Sequence, residues 1–226
     1  AILQLRSLLG HAPDFPLANQ ELGFAYADTG QVIPAIAYLQ KALNLKPELA
    51  LSWQKMGELF LVDGDIESSN EAFRRYLALV SKNPDYLHAV ELFAASKIGQ
   101  AEQLCRDALK NDPNDVDFLR LLAEIGSRVG ALSDSQRLLE RGLNLSPDNY
   151  LLRLSYAHVL NKREKLSEAM VQVNELLTSK RNPFPILVLK ASILVKFGDC
   201  QPALLCYEEL LDRYPPQPKI ALSYGH

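Results

Sequence analysis

Three cysteines and four histidines are the side chains best suited to chemistry in this 226-residue chain, and their spacing argues against a reaction centre. Cys105, Cys200 and Cys206 form no Cys-x-x-Cys pair, and Cys105 falls on the packed face of a helix, where a reduced thiol acts as a small hydrophobe. His11, His88, His158 and His226 are scattered and lack an i,i+4 ligand partner, so no metal site is expected. A phosphate cradle would need G-x-x-x-x-G-K-[ST] or G-x-G-x-x-G after a strand, and an acyl-transfer nucleophile would need G-x-S-x-G; the chain has none of these. Asn144-Leu145-Ser146 fits a glycosylation acceptor formally but closes a helical segment. The expectation is no catalytic residues, no cofactor and no metal. The odd, unpaired cysteines favour a reducing compartment, hence a cytoplasmic expectation.

The elements around these residues are more informative. Hydrophobic residues make up 48%, and 24 basic side chains face 27 acidic ones for a net charge of −3, which offers no footprint for nucleic acid or an anionic membrane. No apolar run approaches the ~18 residues of a membrane span. Pro13 and Pro47 are 34 apart, as are Pro113 and Pro147, Gly23 and Gly57, and Gly30 and Gly64; Gly130 and Gly198 are 68 apart. Ala1, Ala35, Ala101, Ala169 and Ala203 follow the same beat at intervals of 34, 66, 68 and 34. Both the proline and the alanine tracks place a two-residue deficit before Pro113. Between the prolines, apolar residues recur at three and four, as in Phe73, Tyr76, Leu77 and Val80, which is a helical pattern. Gly30, Gly64, Gly130 and Gly198 stop a first helix; the alanines let a second helix approach it closely. Each unit therefore reads as a helix–turn–helix hairpin.

Leu22, Gly23, Tyr26, Gly30, Ala35, Leu39, Ala42 and Pro47, followed by Trp53, Met56, Gly57, Phe60 and Gly64, resemble tetratricopeptide repeats. The resemblance implies an all-α, right-handed solenoid forming a single array over residues 1–226. Its repeats would be 16–49, 50–81, 82–115, 116–149, 150–183 and 184–217, with 1–15 a trailing second helix and 218–226 the start of a further repeat. Two departures stand out. The third unit carries His88 and Ala89 where a glycine pair is expected, and a distorted junction is predicted around Ser81 to Tyr86. Glu164 occupies the turn-glycine position of the fifth unit, predicting a longer or strained turn in the Lys162–Lys165 stretch. Because both ends cut through a hairpin, the natural amino terminus is expected to lie upstream.

In such stacks the first helices line a concave face. Helical geometry turns the second, fifth, ninth, twelfth and thirteenth positions of each unit into it. The candidate groove residues are Gln20, Phe24, Gln54, Glu58, Leu61, Tyr86, Phe93, Arg120, Glu124, Arg128, Leu154, His158 and Asn161, with Val90, Ser127, Val188 and Ser192 beside them. Phe24, Tyr86 and Phe93 would form an aromatic patch for a partner segment; alternatively Tyr86 and Phe93 fill the irregular third unit. A carboxylate clamp of the Lys/Asn/Asn/Lys/Arg kind is not matched by Gln20, Phe24, Glu58, Arg120 and Glu124. The expected partner is a protein or peptide in the groove, or the chain's own downstream domain; self-association through open solenoid ends is a further option. Arg120→Glu should change binding without loss of helicity, and Ala35→Leu or Ala203→Leu should overpack a hairpin.

The irregular stretch from Glu67 through Val90 is followed by Ala101-Glu102, Leu119 to Ile125, Tyr156 to Leu160, Leu189-Lys190-Ala191, Asp212 to Pro215 and Gln217 to His226. This order resembles the amino-terminal arrays of bacterial repeat–sulfotransferase proteins. It implies, as the alternative function, an accessory or substrate-recruiting region of a larger group-transfer enzyme whose catalytic domain is absent from this chain.

Overall fold

The computed structural model describes residues 2–178 and 184–213, and every regular element among them is helical. The helices are α1 (Ile2–His11), α2 (Pro16–Asp28), α3 (Val32–Leu45), α4 (Ala50–Asp63), α5 (Ile66–Val80), α6 (Pro84–Ala94) and α7 (Ile98–Asn111). They continue with α8 (Val116–Arg128), α9 (Leu132–Leu145), α10 (Tyr150–Lys162), α11 (Leu166–Leu177), α12 (Phe184–Phe197) and α13 (Cys200–Arg213). The helix α1 stands where the trailing helix of 1–15 was expected, and 218–226 lie outside the described residues. The described residues divide into two compact units, one running from Ile2 to Ser81 and including Tyr207–Arg213, the other comprising the described residues between Lys82 and Cys206. In the first, α2 pairs with α3 and α4 with α5, α1 packs on α2 and α3 on α4. In the second, α6 to α12 pack in succession, and the first helices α6, α8, α10 and α12 also touch one another in order.

Caps and turns explain the boundaries. Asn83, Asp115 and Asn149 cap α6, α8 and α10 by accepting backbone N–H bonds two or three residues on, which satisfies donors that a helix start leaves open. The turn between the helices of each hairpin holds one residue at positive φ: Gly30 (73°), Gly64 (86°), Ser96 (58°), Gly130 (87°), Glu164 (59°) and Gly198 (82°). Glu164 thus keeps the left-handed turn without glycine, at a backbone cost that glycine avoids. Ser96 does the same in the third unit, at a position the sequence pattern had not marked. The first helices α2, α4, α6 and α8 begin at residues 16, 50, 84 and 116, whereas the first four turn residues fall at 30, 64, 96 and 130. The 34-residue beat survives to the start of α6 and is lost before Ser96. The two-residue deficit therefore lies inside α6, an 11-residue helix where α4 has 14, and not in the junction before it.

The hairpins close on small residues. Ala35, Ser69, Ala101, Ser135, Ala169 and Ala203 occupy one position of each second helix and are at most 2% exposed. The alanine track is thus really an alanine/serine track; a serine is tolerated because its hydroxyl bonds helix backbone, Ser69 Oγ donating to Gly57 O at 2.8 Å. Facing them are Gly23 and Gly57, where a Cβ would meet Leu39 at 2.7 Å and Phe73 at 2.8 Å. In the second unit Ala157, Leu160, Ala169, Val173, Leu176, Ile186, Leu189 and Ile193 form one contiguous core from α10, α11 and α12. Each large member contributes about 1.5–3 kcal/mol by burial.

Candidate functional site

The side chains that link one first helix to the next come from a few fixed repeat positions. In the first unit, Ser52 Oγ of α4 donates to Gln20 Oε1 of α2 at 2.8 Å, a neutral buried rung. Gln20 is 8% exposed, so it ties helices together and does not line an open groove as expected. Phe24, Gln54, Glu58 and Leu61 are half-buried, and Glu58 pairs with Lys55 at 2.8 Å.

In the second unit the rung is charged. Arg120 of α8 donates to Tyr86 Oη of α6 at 2.7 Å and to Glu124 one turn on, and Ser155 Oγ of α10 donates to the same Glu124 oxygen at 3.1 Å. Tyr86 is 3% exposed and stands edge-on to Phe118, with ring centroids 5.5 Å apart. This corrects the expectation of an exposed aromatic anchor at Tyr86, and Asn161, 9% exposed, is likewise turned inward. Burial pushes the Tyr86 phenol up to about 12, so it is a neutral acceptor for the guanidinium. Burial disfavours the Arg120 charge, but Glu124, Tyr86 and Asp117 together outweigh that and hold it protonated. Only 14% of the Arg120 side chain is exposed. Arg120→Glu would therefore set two carboxylates beside a buried phenol, and the expectation of unchanged helicity does not survive this geometry.

The remaining candidates are open. Phe93 is half-buried beneath Arg128, whose guanidinium carbon lies 5.2 Å from the ring centroid. Leu154 and Val90 are half-buried, and Val188 and Val195 are 36% and 53% exposed. His158 is open to solvent, yet crowding by its neighbours disfavours the charged ring and lowers its pKa, with Lys162 adding to the shift and Glu124 opposing it. Asn161 Nδ2 donates to Ser192 Oγ at 3.4 Å, while its buried Oδ1 accepts no bond.

Three cations complete this face, two of them overlooked in the sequence. Lys162 was read only as part of the fifth unit's turn, and Lys196 was not singled out. Reading the thirteenth position down the register places Arg128, Lys162 and Lys196 together, at the ends of α8, α10 and α12. Arg128 donates to Phe93 O and Ser96 Oγ, both at 3.4 Å; Lys162 Nζ donates to Ser127 Oγ at 2.9 Å; Lys196 Nζ donates to Asn161 O at 2.8 Å. Each cation thus sits at the carboxyl end of the preceding first helix, where the helix dipole favours it.

The thiols offer little reactivity. Cys105 is fully buried, and burial raises its thiol to about 12, so it is not a nucleophile at neutral pH. Among the described residues no three His, Cys, Asp or Glu side chains are grouped to hold a metal ion, and no helix is long and apolar enough to cross a membrane. What the arrangement can do is bind: it offers a polar floor, apolar side chains toward α12 and a cationic edge.

Comparison with known proteins agrees with the hairpin architecture. Residues 17–49 match the tetratricopeptide repeat model. A curated relative, the bifunctional subunit NrfFG of the formate-dependent nitrite reductase complex of Haemophilus influenzae, is 28% identical over 141 residues, covering 58% of this chain and 36% of the relative. The chain thus spans about a third of that protein's length. A tetratricopeptide repeat protein of Parabacteroides merdae superposes with a TM-score of 0.58 at 17% identity, covering 100% of this chain and 90% of the other. The Cut9–Hcn1 hetero-tetramer of the APC/C gives 0.59 at 14% identity, covering 99% and 44%. Likeness at this identity shows the fold, an all-α tetratricopeptide-repeat solenoid. The resemblance to sulfotransferase-linked arrays is not supported by these relatives.

Proposed function

We propose that this tetratricopeptide-repeat solenoid is a non-catalytic scaffold that holds a protein or peptide segment along the face of its first helices. The observation that carries this reading is the second unit's first-helix face. Its rungs fix α6, α8, α10 and α12 to one another while Leu154, His158, Val188 and Val195 stay accessible along it. Pre-ordered side chains lose little freedom on binding, and the exposed aliphatic groups supply anchors. The curated relative's description as a subunit of a multiprotein complex supports a place within an assembly, and the matched segment is a minor part of that relative.

Photo-crosslinking tests it. A photoreactive residue at Leu154 or Val188 should trap a partner in cells of the source organism. The same residue at Val171 of α11, 54% exposed on a second helix, should not. Identical products from the two faces would refute the first-helix face as the interaction surface.

A further inference from the structure

We propose that Arg128, Lys162 and Lys196 form a docking edge for an extended acidic segment of a partner chain whose carboxylates recur at every third residue. The proposal rests on the reading of the first-helix face as the partner surface, and it names the chemistry that face selects.

The three cations stand 34 residues apart at one position of three successive repeats. All three are exposed, yet none pairs with a carboxylate among the described residues. Many surface cations are neutralised within their own helix, as in Arg75–Glu71, Arg106–Glu102, Lys110–Asp107 and Lys165–Glu168, whereas these three are both free of carboxylates and aligned at one repeat position. The row also differs from ordinary surface lysines in being anchored, each head held by the carbonyl or hydroxyl of the preceding first helix. Helix-end stabilisation accounts for the anchoring. It leaves the remaining N–H donors and the full positive charge facing solvent. At the corresponding positions the first unit has Asp28 and Val62, so the positive edge is not a general property of the repeat.

The step of the row sets the conformation of the ligand. Neighbouring packed helices lie ~8–10 Å apart. A polyproline II segment rises ~3.1 Å per residue with three residues per turn, so every third side chain returns to one face after ~9.3 Å. A β-strand repeats its face every ~6.8 Å and falls out of step with the row. Carboxylates at i, i+3 and i+6 of an extended, polyproline II-like segment would therefore meet Arg128, Lys162 and Lys196 in turn. Val195, 53% exposed and next to Lys196 in the chain, favours an apolar residue between the acids.

The test uses the full chain and fluorescein-labelled peptides read by anisotropy. One peptide carries three Glu-Pro-Ala triplets; its composition isomer has the glutamates at alternate positions. The triplet peptide should bind at least about fivefold tighter than its isomer. Each of Arg128→Gln, Lys162→Gln and Lys196→Gln should weaken it about threefold, Lys162→Arg should restore binding, and added salt should weaken it. Thermal melts confirm that the glutamine variants are folded. Equal affinity for the isomers, equal affinity for an oligothymidine of matched charge, no binding of either peptide, or binding indifferent to the substitutions would each overturn the proposal. Failure of the wider reading is separable: a triple glutamine variant that still crosslinks its partner through Leu154 rejects the acidic segment and keeps the face.

Discussion

The rung between α2 and α4 and the one that runs through α6, α8 and α10 use overlapping repeat positions with different chemistry. In the first, Gln20 and Ser52 share a neutral hydrogen bond; in the second, Tyr86, Arg120, Glu124 and Ser155 form a charged chain. A neutral rung loses only its own bond when cut. A charged rung, once desolvated, leaves behind partners whose solvation has already been given up. Repeat architecture prescribes where a linking side chain stands and leaves its polarity free, so adjacent stretches of one fold can differ sharply in tolerance.

Cutting each rung measures that difference. Arg120→Ala strands Glu124 and the Tyr86 hydroxyl and should cost about 3 kcal/mol. Gln20→Ala strands only the Ser52 hydroxyl and should cost about 1–2 kcal/mol. Urea titrations followed by circular dichroism read both, and equal losses would erase the distinction between the units. Where the units agree they should respond alike. Ala35→Leu in α3 and Ala169→Leu in α11 each force a larger side chain into a fully buried close approach and should cost about 1–3 kcal/mol. A variant as stable as the parent would misplace the hairpin contact.

Periodicity made the architecture legible because each repeat position does one steric job. Glycine or a left-handed turn and a small residue at the close approach are geometric demands, and the spacing reports them even where Ser69 and Ser135 replace alanine. Polarity at the linking positions was less legible. Gln20, Tyr86 and Asn161 occupy positions that face a groove on an isolated helix, but the next first helix covers them, and a helical wheel does not include that neighbour. The internal shortening of α6 was displaced onto its junction because prolines and alanines bracket the helix without sampling it. Lys196 and Lys162 were missed because each is unremarkable in its own repeat; they form a row only when stacked with Arg128.

The turns offer a smaller test. Gly30, Gly64, Gly130 and Gly198 adopt positive φ without strain, while Ser96 and Glu164 do so with a side chain, and both exceptions belong to the second unit. Glu164→Gly should raise stability by about 0.5–1 kcal/mol, the relief of the left-handed backbone being partly offset by the freer unfolded chain. Ser96→Gly should gain less, because it removes the acceptor of Arg128 Nη2. Melts showing a loss for Glu164→Gly would mean its side chain does more than tolerate the turn.

The smallest effect lies where the cationic row meets the floor. The His158 pKa is lowered first by desolvation and then by Lys162, against the pull of Glu124. Its folded value lies below the ordinary 6.5 of the unfolded chain, so as pH falls through 6.5 the unfolded state takes up the proton first. Stability should therefore decline from pH 7.5 toward the folded pKa and flatten beneath it. His158→Gln should remove that part of the slope and leave stability at neutral pH nearly unchanged. Lys162→Gln removes one of the two lowering influences, so the imidazole, followed by NMR, should titrate nearer 6.5 than in the parent. An unmoved titration would mean that solvent screens the row from the floor. The row would then act only at the rim of the second unit, leaving Glu124 as the charge that His158 feels.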